Sequence, residues 1–397
     1  VESYDLVIVG GGIHGAGVAQ AASAKGLSVM VLEQTGIASG TSGRSSKLIH
    51  GGLRYLESGE FSLVRECLRE RTLLLKLAPN LVKLKHFYIP VYQNTTRRPW
   101  LLSVGLSLYA LQGGLRPATR FSRVPQKYWN NLDGLETAQL EAVFQYNDAQ
   151  TDDAALTRAV MRSAQQMGAQ VKIPAVFTGA RLGQPDKHTN SIEYCHNGKF
   201  EICTAKVIVN AAGPWVQQIL SRISPSPSKL KIDLVQGTHI VVPGMLTKGI
   251  YYVEAHDKRA VFIMPWRGNT LVGTTESPYQ GDPVDVRPLP HEEVYLMNTL
   301  LRYFPKYNSM QKILSSTAGL RVLPSNESQN SSGGVGSINS RSRETILHTE
   351  SQDNLSLLTI YGGKVTTYRL TAERVMARVS KILPVRKVIA DTRHLKL

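Results

Sequence analysis

Cysteine is scarce in this chain, with three in 397 residues: Cys67, Cys195 and Cys203. An odd, widely spaced set fits neither a zinc-ligand spacing nor a disulfide framework. It predicts no metal centre and the reduced thiols of a cytoplasmic protein. Long apolar runs are also missing. No stretch approaches the ~20 residues that cross a bilayer, and a strand pattern begins at once. Neither a spanning helix nor a signal peptide is therefore expected. The first residue is Val1 rather than Met, which points to trimming upstream. Acidic residues are the rarer charge, 30 against 46 Lys and Arg, for a net charge of +16. A basic excess suits nucleic acid, anionic lipid or an anionic small molecule. Nucleic acid is the weakest of the three, because no helix-turn-helix, zinc-finger or RNA-binding signature accompanies the charge. No internal repeat is present.

What remains is an ordinary globular composition, 42% hydrophobic and 19% charged, in a chain long enough for two or three packed units. Tyr4 to Val9 reads as a buried strand by length and composition. An Ala-rich helix follows from Gly15 to Lys25, then a stop at Gly26 and a second buried strand from Leu27 to Leu32. Apolar residues at helical spacing predict a helix over Phe61 to Leu77, ended by Pro79. Asp152 to Met167 reads as another helix. Lys206 to Val209 is a strand running into Asn210-Ala211-Ala212-Gly213-Pro214-Trp215. From about Lys229 short strands alternate with turns: His239 to Val242, Tyr251 to Val253, Val261 to Met264 and Thr270 to Gly273. That is the pattern of an antiparallel sheet. Ser325 to Ser342 is a polar tract read as a loop. A strand over Leu355 to Tyr361, then Gly362-Gly363-Lys364 and a helix through Thr371 to Ser380 follow. Trp100 to Leu111 is an apolar block with Arg97, Arg98 and Arg116 around it. Too short to span, it suits either a core helix or a helix lying on an anionic membrane surface.

The first β-α-β unit carries the clearest chemistry. Gly10-Gly11-Gly12-Ile13-His14-Gly15 lies between strand and helix, and Glu33 ends the second strand 18 residues beyond Gly15. Gly10 permits the tight turn and Gly12 lets the backbone approach a pyrophosphate. Gly15 lets helix and strand pack closely, and the helix N-terminus offers free N–H groups to phosphates. Glu33 can accept bonds from an adenosine ribose. The motif opens the chain, no second Gly-rich fingerprint exists, and Asn210-Ala211-Ala212-Gly213 offers another small-residue strand end. Together these favour FAD over NAD.

Ser45-Ser46-Lys47-Leu48-Ile49-His50-Gly51-Gly52-Leu53-Arg54-Tyr55-Leu56-Glu57 resembles the signature of FAD-dependent glycerol-3-phosphate dehydrogenases. Further segments agree in order and spacing: Asp152-Asp153-Ala154, Asn210 to Val216, Gly237 to Pro243, Gly273-Thr274-Thr275-Glu276, Gly319 to Leu323 and Gly362 to Arg369. The resemblance implies an α/β chain. A glutathione-reductase-like FAD-binding domain of Rossmann type would carry an antiparallel-sheet substrate domain over the flavin. Residues 1–80 and 146–225 would form the FAD domain, 81–145 a mixed segment, 226–343 the substrate domain and 344–397 the return to the FAD domain. The family's helical C-terminal domain is expected to be absent. The implied reaction oxidises sn-glycerol 3-phosphate to dihydroxyacetone phosphate by hydride transfer to flavin N5. Electrons would pass to quinone, or in oxidase relatives to oxygen. A cytoplasmic protein, peripheral at the inner face of the membrane, is the expected setting.

The resemblance also implies a site. Gly10, Gly12, Ile13, His14, Gly15 and Glu33 would hold the dinucleotide, with Thr41, Ser42, Ser45, Ser46, Lys47, Leu48, His50, Gly51 and Gly52 along the flavin. Val176, Ala212, Gly213, Trp215, Gly363, Lys364 and Thr366 complete that set. His50 and His239 are alternative bases for the hydroxyl proton, with His50 alternatively orienting the flavin. Arg321 and Lys364 are the other catalytic candidates. Arg54, Tyr55, Arg321, Arg343 and Thr366 are expected at the substrate, where a guanidinium fork suits phosphate oxygens. A flavin amine or amino-acid oxidase of the same fold and a non-catalytic flavoprotein are the competing readings.

Overall fold

The computed structural model describes residues 1–183, 189–310, 312–324, 344–350 and 356–397. The polar tract 325–342 and Arg343 lie outside them. The strand Glu2–Val9 is a continuous apolar run because its last six residues are buried on both faces. It pairs in parallel with Val29–Leu32 on one side and Lys199–Asn210 on the other. Gln170–Lys172 extends the parallel sheet beyond Val29–Leu32, and Leu357–Tyr361 pairs with the end of Lys199–Asn210. The helix Ile13–Ala24 is buried on nearly every side, which its Ala and Gly content permits. A Cβ at Gly17 would meet the Tyr368 ring at 2.8 Å, so small side chains let the helix Tyr368–Val379 pack against it. Gly26, at φ +77°, ends the Ala-rich helix.

A second sheet of ten strands stands beside the first, in the order Ser277–Tyr279, Ile232–Val242, Asn269–Gly273, Ala260–Trp266, Ile250–Glu254, Val82–Tyr92, Leu140–Thr151 and Leu48–Ile49. Ser315–Pro324 pairs with Ile232–Val242 along ten registered positions, and Phe121–Arg123 pairs with Leu140–Thr151. The segment 81–145 mixes strands with the helix Pro99–Gln112, and its strands belong to this second sheet. Val82–Tyr92 and Leu140–Thr151 are long antiparallel partners that join the substrate sheet through Tyr88 and Tyr251. The 145/146 boundary falls inside the second of them. Pro90 and the charged Lys83 and Lys85 hide the first strand from pattern reading, because proline cannot donate to a ladder.

The helix Pro99–Gln112 has two apolar faces. Leu102, Leu106 and Tyr109 point into the core at helical spacing. Trp100 and Leu111 are 68% and 59% exposed, with Leu101, Val104 and Leu108 on the same outer side. No helix among the described residues is long and apolar enough to cross a membrane.

Candidate active site

A cavity between the two sheets is lined both by the Gly-rich turn and by Gly362-Gly363-Lys364. Gly10 adopts φ +112°, and a Cβ there would sit 2.6 Å from the carbonyl oxygen of Ala211. Any side chain at Gly15 would strike the Gly10 carbonyl oxygen at 1.9 Å. The glycines therefore do what their spacing predicts: one makes the turn and one lets helix meet strand. Glu33 reaches back to this turn. Its Oε2 accepts from Gly11 N at 2.6 Å, while Oε1 accepts from Thr35 N at 2.8 Å. Ser42 Oγ accepts from Ile13 N at 2.8 Å.

Gly10, Gly12, Ile13, His14, Glu33, Thr41, Ser42, Ser45, Ser46, Leu48 and His50 line the cavity. So do Tyr55, Val176, Ala212, Gly213, Trp215, His239, Arg321, Gly363, Lys364 and Thr366. Gly15, Lys47, Gly51, Gly52 and Arg54 do not line it, and Arg343 lies outside the described residues. Lys47 is turned onto Asp153, with 2.6 Å between Nζ and Oδ1, and also donates to the Gly43 carbonyl. The same buried carboxylate accepts from Ser45 N and Ser45 Oγ, at 2.9 and 2.7 Å. Asp152 instead caps the helix Asp153–Gln166 by accepting from Ala155 N. Asp153 thus pins the Ser45–Lys47 segment, while Asp152 starts the helix behind it. Arg54 sits half-buried on the short turn Leu53–Leu56.

Four of the candidate groups lining this cavity have contacts that bear on chemistry. Lys364 Nζ is buried, without a hydrogen bond among the described residues, and stands 3.7 Å over the Tyr55 ring. His239 is buried, with Nε2 3.1 Å from Ser46 Oγ and with Nδ1 lacking a partner among the described residues. Burial pushes its imidazolium down to about 3, helped by the charges of Lys47 and Arg321, so the ring is neutral at ordinary pH. Arg321 donates to Glu276 Oε1 at 2.6 Å. Thr366 Oγ1 accepts from His50 N at 3.3 Å, tying the two cavity walls together. Behind Thr238 and Thr275 lies Glu292, 2% exposed, which accepts from the hydroxyls of Thr238, Thr275 and Ser277 and from Gln236 Nε2. Sequence reasoning passed over Glu276 and Glu292. Glu276 ends a quoted motif and could have been weighed as an arginine partner; Glu292 gave no signal beyond its place in a helix's first turn.

A family model described as FAD dependent oxidoreductase (DAO) matches residues 5–372. The chain belongs to this family. Glycerol-3-phosphate dehydrogenase of Pseudomonas aeruginosa is 37% identical, over 95% of this chain and 72% of its own length. D-erythritol 1-phosphate dehydrogenase of Brucella abortus is also 37% identical, over 96% and 75%. The aerobic glycerol-3-phosphate dehydrogenase of Escherichia coli is 36% identical, over 96% and 74%. The fold is shared with the glycerol-3-phosphate dehydrogenase of Bacillus halodurans solved with FAD, at a TM-score of 0.73 and 24% identity, over 99% of this chain and 67% of that one.

This FAD-dependent oxidoreductase is thus of the glycerol-3-phosphate dehydrogenase type. Its cavity fits the cofactor. The side-chain-free turn at Gly10 and Gly12 leaves room for a pyrophosphate against the N-terminus of Ile13–Ala24. Ser42 holds the Ile13 amide at that turn, and Thr41, Glu33, Gly362, Gly363 and Lys364 line the same cavity.

Proposed function

We propose that the protein oxidises a small polyol phosphate, with sn-glycerol 3-phosphate as substrate, to the corresponding ketone. The observation that carries this reading is the buried Lys364 amine, unsatisfied among the described residues, set over the Tyr55 ring and lining the same cavity as Arg321 and His239. A buried cation without an anion is costly, and a phosphate entering there relieves the cost. Arg321 and Lys364 hold the anion, Tyr55 bounds the pocket beneath the amine, and Thr366 fixes the wall carrying His50. Arg54 and Arg343 are second-line candidates for the same anion.

When bound, FAD would supply the two-electron acceptor for the hydride that the carbinol carbon loses. On this reading His239, which lines the cavity and whose Nδ1 has no hydrogen-bond partner among the described residues, takes the hydroxyl proton. Its low proton affinity arises first from burial and then from the charges of Lys47 and Arg321. A phosphate brought beside Arg321 offsets that charge and raises the affinity when the proton has to move. His50 lines the same cavity and orients the flavin instead. A quinone, met at an anionic membrane surface, is the proposed electron acceptor. The apolar outer side of Pro99–Gln112 supports that surface, since Trp100, Leu101, Val104, Leu108 and Leu111 are exposed together on it.

A second reading changes the substrate and keeps the chemistry: D-erythritol 1-phosphate, the substrate named for a relative at 37% identity. The test is anaerobic mixing with glycerol 3-phosphate, D-erythritol 1-phosphate, glycerol, a 2-hydroxy acid and an amino acid. Bleaching of the flavin band by a polyol phosphate and not by glycerol is the expected result. Bleaching by the amino acid alone moves the protein to an amino-acid oxidase. Retained FAD with no bleaching by any of them makes it a non-catalytic flavoprotein.

A further inference from the structure

We propose that Tyr109 is a positioning residue for the flavin-facing loop at His50, holding the Gly51 amide through a buried chain that ends in the Asp148–Arg71 ion pair. The inference rests on FAD dependence and not on the identity of the substrate. Four groups form the chain. Gly51 N donates to Tyr109 Oη at 2.9 Å. The phenol in turn donates to Asp148 Oδ2 at 2.5 Å. Arg71 donates to Asp148 Oδ1 at 2.6 Å and to the Asn147 carbonyl at 3.0 Å. The side chains of Arg71 and Asp148 are 0% and 1% exposed.

The direction of this chain is fixed by its ends. An amide N–H can only donate and an ionised carboxylate can only accept, so the phenol must accept from Gly51 and give its proton to Asp148. Burial, followed by the charge of Asp148, pushes the Tyr109 hydroxyl well above its usual range, so it keeps that proton. The close approach requires glycine, because a Cβ at residue 51 would stand 2.4 Å from Tyr109 Oη and 2.7 Å from Leu68 Cδ2. One residue earlier, His50 N donates to Thr366 Oγ1. Two consecutive amides are therefore held, one by the Gly362–Arg369 segment and one by Tyr109. Such double anchoring fixes the peptide planes on both sides of the His50 Cα, and with them the direction in which the His50 side chain enters the cavity. A buried ion pair does not need this partner for its own charge balance. Its use in aiming a phenol gives a reason for so expensive a group in this core.

Tyr109→Phe keeps the ring and removes the acceptor. Tyr146→Phe, a buried phenol whose ring lies 6.0 Å from that of Tyr109, is the packing control. Three readouts are taken on the FAD-loaded proteins: amide hydrogen exchange across residues 48–56, the shape of the flavin absorption band, and kcat and KM separately. Tyr109→Phe is expected to speed exchange of the Gly51 amide roughly tenfold and to shift the flavin band. It should lower kcat roughly 5- to 100-fold with KM little changed. Tyr146→Phe should move none of these. Equal effects of both variants, or wild-type exchange and spectrum in Tyr109→Phe, overturn the proposal. If Tyr109→Phe does not fold, the wild-type protein decides: its Gly51 amide is expected to exchange as slowly as amides of the central strand Glu2–Val9, and free exchange there overturns the proposal.

Discussion

Arg321 and Glu276 form an ion pair of 2.6 Å at the edge of the cavity, so the strongest candidate for the substrate anion is already engaged by a carboxylate. That pair holds the guanidinium fork in place. An incoming phosphate would share it with Glu276 or displace that carboxylate. Arg321→Met is expected to leave FAD bound, because the Gly10–Gly15 turn belongs to the other sheet. Catalytic efficiency with glycerol 3-phosphate should fall roughly 30- to several-thousand-fold, the cost of leaving one partner of a desolvated charge pair. Turnover of glycerol, which has no phosphate, should change far less. Steady-state kinetics with both substrates check this, and equal losses on the two would move the anion contact to Arg54 or Arg343.

Much of this was legible before any coordinates, and unevenly so. The β-α-β unit and its glycines were readable because each glycine has a single backbone reason to be there. The sheet strands after Lys229 showed their alternation. Val82–Tyr92 did not, because it carries charges at one end and a proline at the other while being buried on only part of its length. Lys47 looked like a flavin contact because it stands inside a signature. Only the fold reveals that Asp153, more than a hundred residues away in sequence, takes its ammonium. Tyr109, Asp148 and Arg71 were invisible for the same reason: a buried polar chain is made from three distant segments and leaves no local pattern. Composition leaves helix Pro99–Gln112 open between a core helix and a membrane-surface helix; one of its faces packs into the core and the other is exposed.

Glu33 ties the outer end of the site to the Gly-rich turn through the Gly11 amide. Glu33→Ala removes both that bond and the acceptor expected for a ribose. Losing charge-assisted hydrogen bonds of this kind costs about 1.5–3 kcal/mol each, so the FAD dissociation constant should rise at least tenfold. Equilibrium dialysis or fluorescence titration with FAD gives the value. Unchanged retention would mean the carboxylate only supports the turn.

Acid should weaken the fold through its histidines. Burial lowers His14 to about 4, and burial with nearby cations lowers His239 to about 3, both from an ordinary 6.5. Between those values and 6.5 the unfolded chain binds more protons than the folded one. Stability from these rings is therefore complete above pH 6.5 and is lost as pH falls toward 3. Thermal midpoints of the FAD-free protein are expected to drop across that window. His14→Gln and His239→Gln should each flatten the drop, and variants as steep as the parent would show that the carboxylates set the slope.

Glu292 gathers three hydroxyls and an amide around one buried carboxylate with no cation in the set. Burial opposes its charge, but the four donors outweigh burial and its pKa is lowered. Glu292→Ala should cost about 1–3 kcal/mol for each donor left unsatisfied, less where a hydroxyl can rotate to a carbonyl. The expected result is a lower thermal midpoint together with a higher KM, since Thr238 and Thr275 flank His239 and Glu276. A lower midpoint with unchanged kinetics would confine Glu292 to stability.

The outer face of Pro99–Gln112 makes the membrane surface testable. Trp100 and Leu111 are mostly exposed, so replacing them should not disturb the core that Leu102, Leu106 and Tyr109 build on the other side. Sedimentation with anionic liposomes is the measurement. Apolar insertion and electrostatic attraction respond differently to salt: screening shortens the reach of charge to ~8 Å at physiological ionic strength, while apolar burial survives it. The protein is expected to stay with the vesicles in high salt and leave in detergent. Trp100→Glu and Leu111→Glu should each weaken partitioning roughly tenfold or more, given about 1.5–3 kcal/mol for burying such a side chain. Their thermal midpoints should match the parent. Release by salt alone, with both variants partitioning like the parent, would assign the binding to the net charge of +16 and leave the helix face without that role.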